Sequence, residues 1–385
     1  MCWNICLEGR NHAAVLCPVR VPVPESWEGA PRTVSAPCPF VVGRRAELRR
    51  IDGSAFLCFV VRNLPPGRTV SFPIDPEKPA DVPPAIRFAA DAGTTAVHVG
   101  RDLLTRLHWD PDGVRPYLYP LYGPDGCPVT RSFPMRSDVP GEAHDHPHHR
   151  SLYTAYGDVN GADVWSESDE HGRQVVDSPP RACDGSVFGS LAFGSEWVDA
   201  GNTPLLTDER RITIYNAGDD VRVFDYQLTL RAVHGDAVFA DTKEGGLLAI
   251  RVAGDLKERS GGRIVNALGG IGEDECWGQA APWVDYTGTV GRNTVGISVF
   301  DHPGNPDYPT RWHVRGYGLF AANPFGLSAY RSGYRNDGTT TIPCGTARTY
   351  RYRVLIHRGT PSEAEVPSTF LDFAFPCRAT LEVLS

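Results

Sequence analysis

Apolar residues along this chain fall mostly at every second position in short runs, and rarely at the spacing of a surface helix. Residues 55–62, 95–99, 211–215, 221–230, 294–300 and 350–356 are the clearest of these runs, rich in β-branched and aromatic side chains. A period of two sends alternate side chains to opposite faces of a pleated strand, so each run reads as a strand with one face toward a core. Glycine and proline occupy 40 and 33 positions between and around them, which leaves long helices almost nowhere to form. Helix is expected only in short pieces, such as residues 101–106 unless that segment is itself a strand edge. With no alternation of strand and helix, the chain is expected to be all-β and of sandwich type.

Residues 73–84 hold many prolines and acidic side chains and little apolar surface, as a linker does. They divide the chain into residues 1–84, with strand enough for a small N-terminal immunoglobulin-like β module, and residues 85–385, expected to form one large β-sandwich domain carrying the site. At 385 residues the chain is long enough for both.

A net charge of -8 and the lack of any Lys/Arg run argue against nucleic acid and anionic membrane as partners, which leaves a small polar molecule. Ten cysteines are scattered singly with no C-x-x-C pair, so zinc-ribbon and redox motifs are not expected and the thiols read as reduced and mostly buried. The first residues lack the basic-then-apolar order of a signal peptide, and no run of about 18 apolar residues could cross a bilayer. A soluble, cytoplasmic protein is expected.

Chemistry concentrates in His144-Asp-His-Pro-His-His-Arg150, which holds four of the twelve histidines. Imidazole titrates near neutrality, so such a cluster offers proton donors, proton acceptors or metal ligands in one place. Shortly after it, Asp158, Asn160, Asp163 and Glu167 surround Trp165. Hydroxyl-binding groups beside an aromatic platform suit a sugar, although Asp158 and Asn160 fit a turn equally well. Asp241-Thr-Lys-Glu-Gly-Gly246 sets Lys243 beside Glu244, and Trp277 through Tyr286 and Tyr308 through Tyr317 interleave aromatic residues with Arg311, His313 and Arg315. The glycine run 269–272 opens no helix after a strand and is not a dinucleotide fingerprint.

These motifs, together with Gly157-Asp-Val-Asn-Gly161, His302-Pro-Gly-Asn-Pro and Asn323-Pro-Phe-Gly326, resemble in order those of the DUF6807 family, from about residue 86 onward. Members are often labelled "PmoA family protein" or "methane oxygenase PmoA". A methane oxygenase subunit is a membrane protein, whereas this sequence has no membrane-spanning run. The resemblance implies instead a β-supersandwich similar to galactose mutarotase. By that analogy His148 or His149 is the acid/base, Glu244 its carboxylate partner, and Arg150, Asp158, Asn160, Lys243, Trp277, Arg311 and His313 are substrate contacts.

Three functions are compatible with this pattern. The first is a carbohydrate-active enzyme that uses His/carboxylate acid–base chemistry on a sugar or oxidised sugar glycoside, by cleavage, elimination or epimerisation, with no cofactor. The second is a His-ligated metal-dependent hydrolase or oxygenase. In it His144, His146 and His148 share one face of an extended segment and hold a divalent metal, with Pro147 interrupting the strand. The third is a noncatalytic carbohydrate-binding protein.

Overall fold

The computed structural model describes residues 2–27, 31–330 and 337–384. The expected strands are present, at Ser54–Val61, Thr94–Val99, Pro204–Tyr215, Val221–Arg231, Asn293–Asp301 and Ala347–Arg358. Residues 101–106 are not helical. Asp102–His108 is a strand, because Leu104 and Leu107 pack into the core while the ladder to Thr94–Val99 takes up its backbone groups. The longest helix among the described residues is Val366–Ala374, and none is long and apolar enough to cross a membrane.

Two large antiparallel sheets form the body. One has eight strands, in the order Trp312–Val314, Leu319–Ala322, Gly245–Arg251, Leu152–Tyr156, Tyr117–Leu121, Asp102–His108, Thr94–Val99 and Ile86–Asp91. The other has nine, with Val221–Arg231 and Ala347–Arg358 at its centre. Leu152, Leu248, Ile250 and Phe320 of the first sheet share a single apolar core with Ile212, Phe224, Tyr226, Val299 and Val354 of the second. The two sheets are therefore the layers of a sandwich, as period-two patterning requires when each sheet has one apolar face. Thr154 adds a polar tie across the core, 2.8 Å from the hydroxyl of Tyr226.

A smaller sandwich stands beside it, made of a four-stranded sheet and a three-stranded one around Ile5, Leu7, Val34, Leu57, Phe59 and Phe72. In the three-stranded sheet Cys2–Glu8 lies between Thr69–Ile74 and Arg378–Leu384. The small sandwich thus contains a segment that a division between residues 84 and 85 assigns to the large one. Leu16, Cys58 and Val60 pack with Phe188, Tyr215, Phe300 and the helix residues Phe370 and Phe373. This covers the outer face of the nine-stranded sheet and leaves the outer face of the eight-stranded sheet to carry the site.

Candidate active site

Strand register decides which side chains meet on that outer face. His313 pairs with Ala321, Ala321 with Ala249, Ala249 with Tyr153, and Tyr153 with Tyr117. Directly opposed residues project to the same side of a sheet, so these five form one row across five strands. Tyr153, Ala155, Ala249 and Ala321 pack with Trp165 and Leu319 in a small cluster of their own, separate from the sandwich core. The alanines keep the middle of the row low, and the larger side chains rise at its ends.

Above this floor is a cleft of about 450 Å³ whose lining includes His146, His148, His149, Trp165, Lys243, Glu244, His313, Arg315 and Tyr317. Its walls come from separate parts of the chain. The histidine segment is gripped by Arg131, whose guanidinium donates to the carbonyls of Ala143, Asp145 and His146 at 3.3, 2.8 and 2.9 Å. Glu142 fastens the same segment by accepting from the amides of Ser132 and Phe133. The opposite wall is the turn before Gly245–Arg251. There buried Asn323 donates to the carbonyls of Thr242 and Lys243 at 2.9 and 3.2 Å, and Lys243 is ion-paired with Glu244.

His149 is completely buried, and the Nη1 of Arg251 donates to its Nδ1 at 3.1 Å. A guanidinium can only donate, so the ring proton of neutral His149 resides on Nε2. Arg251 is itself fixed by Asp145, 2.7 Å from its Nη2, and Asp145 also pairs with Arg131 at 2.5 Å. Burial alone would raise the Asp145 carboxyl, but Arg251 and Arg131 hold it at about 2. Burial drives His149 well below its ordinary value, with His148 and Arg251 adding to the effect. Burial, Arg115 and His146 bring His148 down to about 4, and burial brings His313 to about 4 against the pull of Glu244. All three imidazoles are consequently neutral at pH 7. Among the described residues nothing hydrogen-bonds to either ring nitrogen of His148, and the Nδ1 of His313 is buried without a partner.

Not every expected residue reaches the cleft. Arg150 is absent from its lining, because Glu167 holds the guanidinium at 2.6 Å through both Nε and Nη2 and Tyr117 lies beneath it. Asp158 caps the turn through the amide of Gly161, and Asn160 bridges Val238 and Asp236. Trp277 packs against Tyr330 and under Arg315, one layer behind the wall, while Arg311 donates to the carbonyl of Gly278. His144 stacks on Phe133 at 4.5 Å, apart from His146 and His148, whose rings meet edge to face at 5.8 Å. Among the described residues no group of three His, Cys, Asp or Glu side chains is arranged to hold a metal ion.

The sequence reading missed Arg115, Arg131, Tyr153, Arg251 and Tyr317. Arg251 had a signal, since it ends the continuous apolar run 247–250 and is 1% exposed, an unusual position for a charge. Tyr153 had none, because a cleft aromatic and a core aromatic look alike in a strand, whereas Tyr317 stands in the turn after Trp312–Val314, at the end of an aromatic run already singled out.

No curated protein matches this sequence. Among solved structures, it is similar to a protein in the glycosyl hydrolase family 38 from Enterococcus faecalis, with a TM-score of 0.42 and 10% identity over 99% of this chain and 47% of that one. A second similar structure is an alpha-mannosidase from Enterococcus faecalis, with a TM-score of 0.41 and 10% identity over 99% of this chain and 46% of that one. The chain spans about half the length of each. The sequence profile described as "Family of unknown function (DUF6807)" matches residues 94–370, well over half of the chain, and the protein belongs to that family.

Proposed function

We propose that the cleft performs acid–base chemistry on a carbohydrate, moving a proton to or from a ring hydroxyl or ring carbon during cleavage, elimination or epimerisation. The convergence of His148, His149, His313, Lys243 and Glu244 on one cleft, from separate segments, carries this reading. Trp165 and Tyr317 add apolar faces to a polar wall, which complements a molecule with hydroxyls at its edge and C–H groups on its face.

His148 is the base. It is neutral at pH 7, it lines the cleft, and among the described residues none hydrogen-bonds to its ring nitrogens. Glu244 and Lys243 on the facing wall form the group that returns a proton to the developing or departing oxygen, with His313 beside them. His149, with its proton fixed on Nε2, donates a hydrogen bond and leaves proton abstraction to His148. The cysteines, free thiols among the described residues, suit a reducing compartment such as the cytoplasm.

The test is solvent-deuterium incorporation into a panel of glycosides, followed by NMR. His148→Ala and Glu244→Gln should each lower the exchange or turnover rate by about 10²- to 10⁴-fold with binding retained. Equal losses of affinity and turnover in His148→Ala would overturn catalysis in favour of a binding protein.

A further inference from the structure

Several buried polar atoms beside and beneath the cleft have no hydrogen-bond partner among the described residues: Nε2 of His149, Nε1 of Trp165, the hydroxyl of Tyr153, and Nε and Nη1 of Arg115. Their owners are packed together. The His149 and Trp165 rings lie 5.6 Å apart, Tyr153 and Trp165 5.5 Å, and the Arg115 guanidinium sits 5.6 Å from the Tyr153 ring. Each of these groups can donate, and leaving several buried donors unpaired in one place is costly enough that such a cluster calls for an acceptor.

Charge points to the kind of acceptor. The buried Arg115 guanidinium has Glu167 and Asp163 as the carboxylates that act on it among the described residues. Glu167 is committed to Arg150 at 2.6 Å and reaches Arg115 only at 3.9 Å. Asp163 accepts from the amides of Trp165 and Ser166. Among the described residues the fully buried Arg115 guanidinium therefore has no carboxylate closer than 3.9 Å, a situation that a bound anion relieves.

Resting on the carbohydrate reading above, we infer that the substrate is a sugar acid, whose carboxylate is held by the unpaired donors of His149, Trp165, Tyr153 and Arg115. A carboxylate only accepts, offers about four lone-pair sites and brings a negative charge to Arg115, so it answers both observations at once. A neutral sugar hydroxyl answers neither fully.

The experiment measures binding of the methyl glycosides of glucuronate and galacturonate, and of neutral glucose and galactose, by calorimetry and ligand-observed NMR. It uses wild type, His148→Ala, Tyr153→Phe and Arg115→Met. At least one acidic glycoside should bind at least about tenfold more tightly than its neutral counterpart. Tyr153→Phe, which removes only the unpaired hydroxyl, should weaken that binding by about tenfold while raising the melting temperature of the ligand-free protein. Arg115→Met should abolish the preference for the acid. Acidic and neutral sugars binding equally, or Tyr153→Phe binding the acid as wild type does, would overturn the inference. Preferential binding of gluconolactone over both acids would also overturn it, assigning the donors to a neutral carbonyl. Retained acid binding by a His148→Ala variant with undiminished turnover would sink the base assignment and leave this inference standing.

Discussion

The amide of Gly157 donates to the carbonyl oxygen of Glu244 at 2.7 Å, and a Cβ at Gly157 would stand 2.7 Å from that same oxygen. Backbone lies on both sides of the contact, so neither can yield cheaply. Gly157→Ala should push the Lys243–Glu244 turn out of place, costing about 1–3 kcal/mol of stability. It should also lower kcat by roughly 10²-fold through misplacement of the turn. Thermal unfolding and single-turnover rates check the two effects separately, and an unchanged rate would detach Glu244 from the chemistry.

Removing Arg251 tests the fixed tautomer. In Arg251→Met the Nδ1 of His149 loses its donor and the nearby positive charge that opposes protonation. Nitrogen-15 NMR should show a single Nε2–H form of His149 in wild type between pH 5 and 8. The variant should show mixed tautomers and a ring that begins to titrate.

The depressed imidazoles set the acid limb of the pH profile. A base held at about 4 stays unprotonated well below the ordinary histidine range, so kcat/KM should remain flat from pH 7 down to about 5 and fall only as pH approaches 4. Stability follows the same groups. Unfolded His148 and His313 bind protons at ordinary values near 6.5, whereas folded ones do not until about 4. Their contribution is therefore complete above about 6.5 and is lost as pH falls through 4. Denaturant titrations from pH 7 to 4 should show a shallower loss in His148→Gln than in wild type.

Truncation after Cys377 should weaken the small sandwich. It removes Ala379 and Leu381, which pack against its core, and unpairs the edge of Cys2–Glu8. A loss of about 2 kcal/mol is expected from the apolar burial alone. Aggregation of the truncated chain should rise with concentration, because an open strand edge is a template for pairing.

Strands such as Val221–Arg231 and Ala347–Arg358 were legible because alternation is a local property that survives whatever the neighbours are. The segment 101–106 was ambiguous for the opposite reason. Six residues hold too few periods to separate helix from strand, and the ladder to Thr94–Val99 settled it. His148, His149, Lys243, Glu244 and His313, which line one cleft, were marked by polar density. That same density also marked Asp158 and Asn160, whose carboxylate and amide are spent on a turn. Composition cannot distinguish a polar group facing a ligand from one satisfying the backbone. Tyr153 escaped because only register places it on the cleft side, and Arg115 because only tertiary packing sets its guanidinium over the Tyr153 ring.

The position of Cys2–Glu8 between Thr69–Ile74 and Arg378–Leu384 has a bearing on how the chain is made. Its first partner emerges from the ribosome soon after it, but its second follows about 300 residues later, roughly 15–60 s of translation. Throughout that interval one strand edge of the small sandwich is open while the large sandwich is being assembled beside it. The nascent chain is most exposed to wrong pairing there, and a chaperone that shields strand edges would matter most during those seconds.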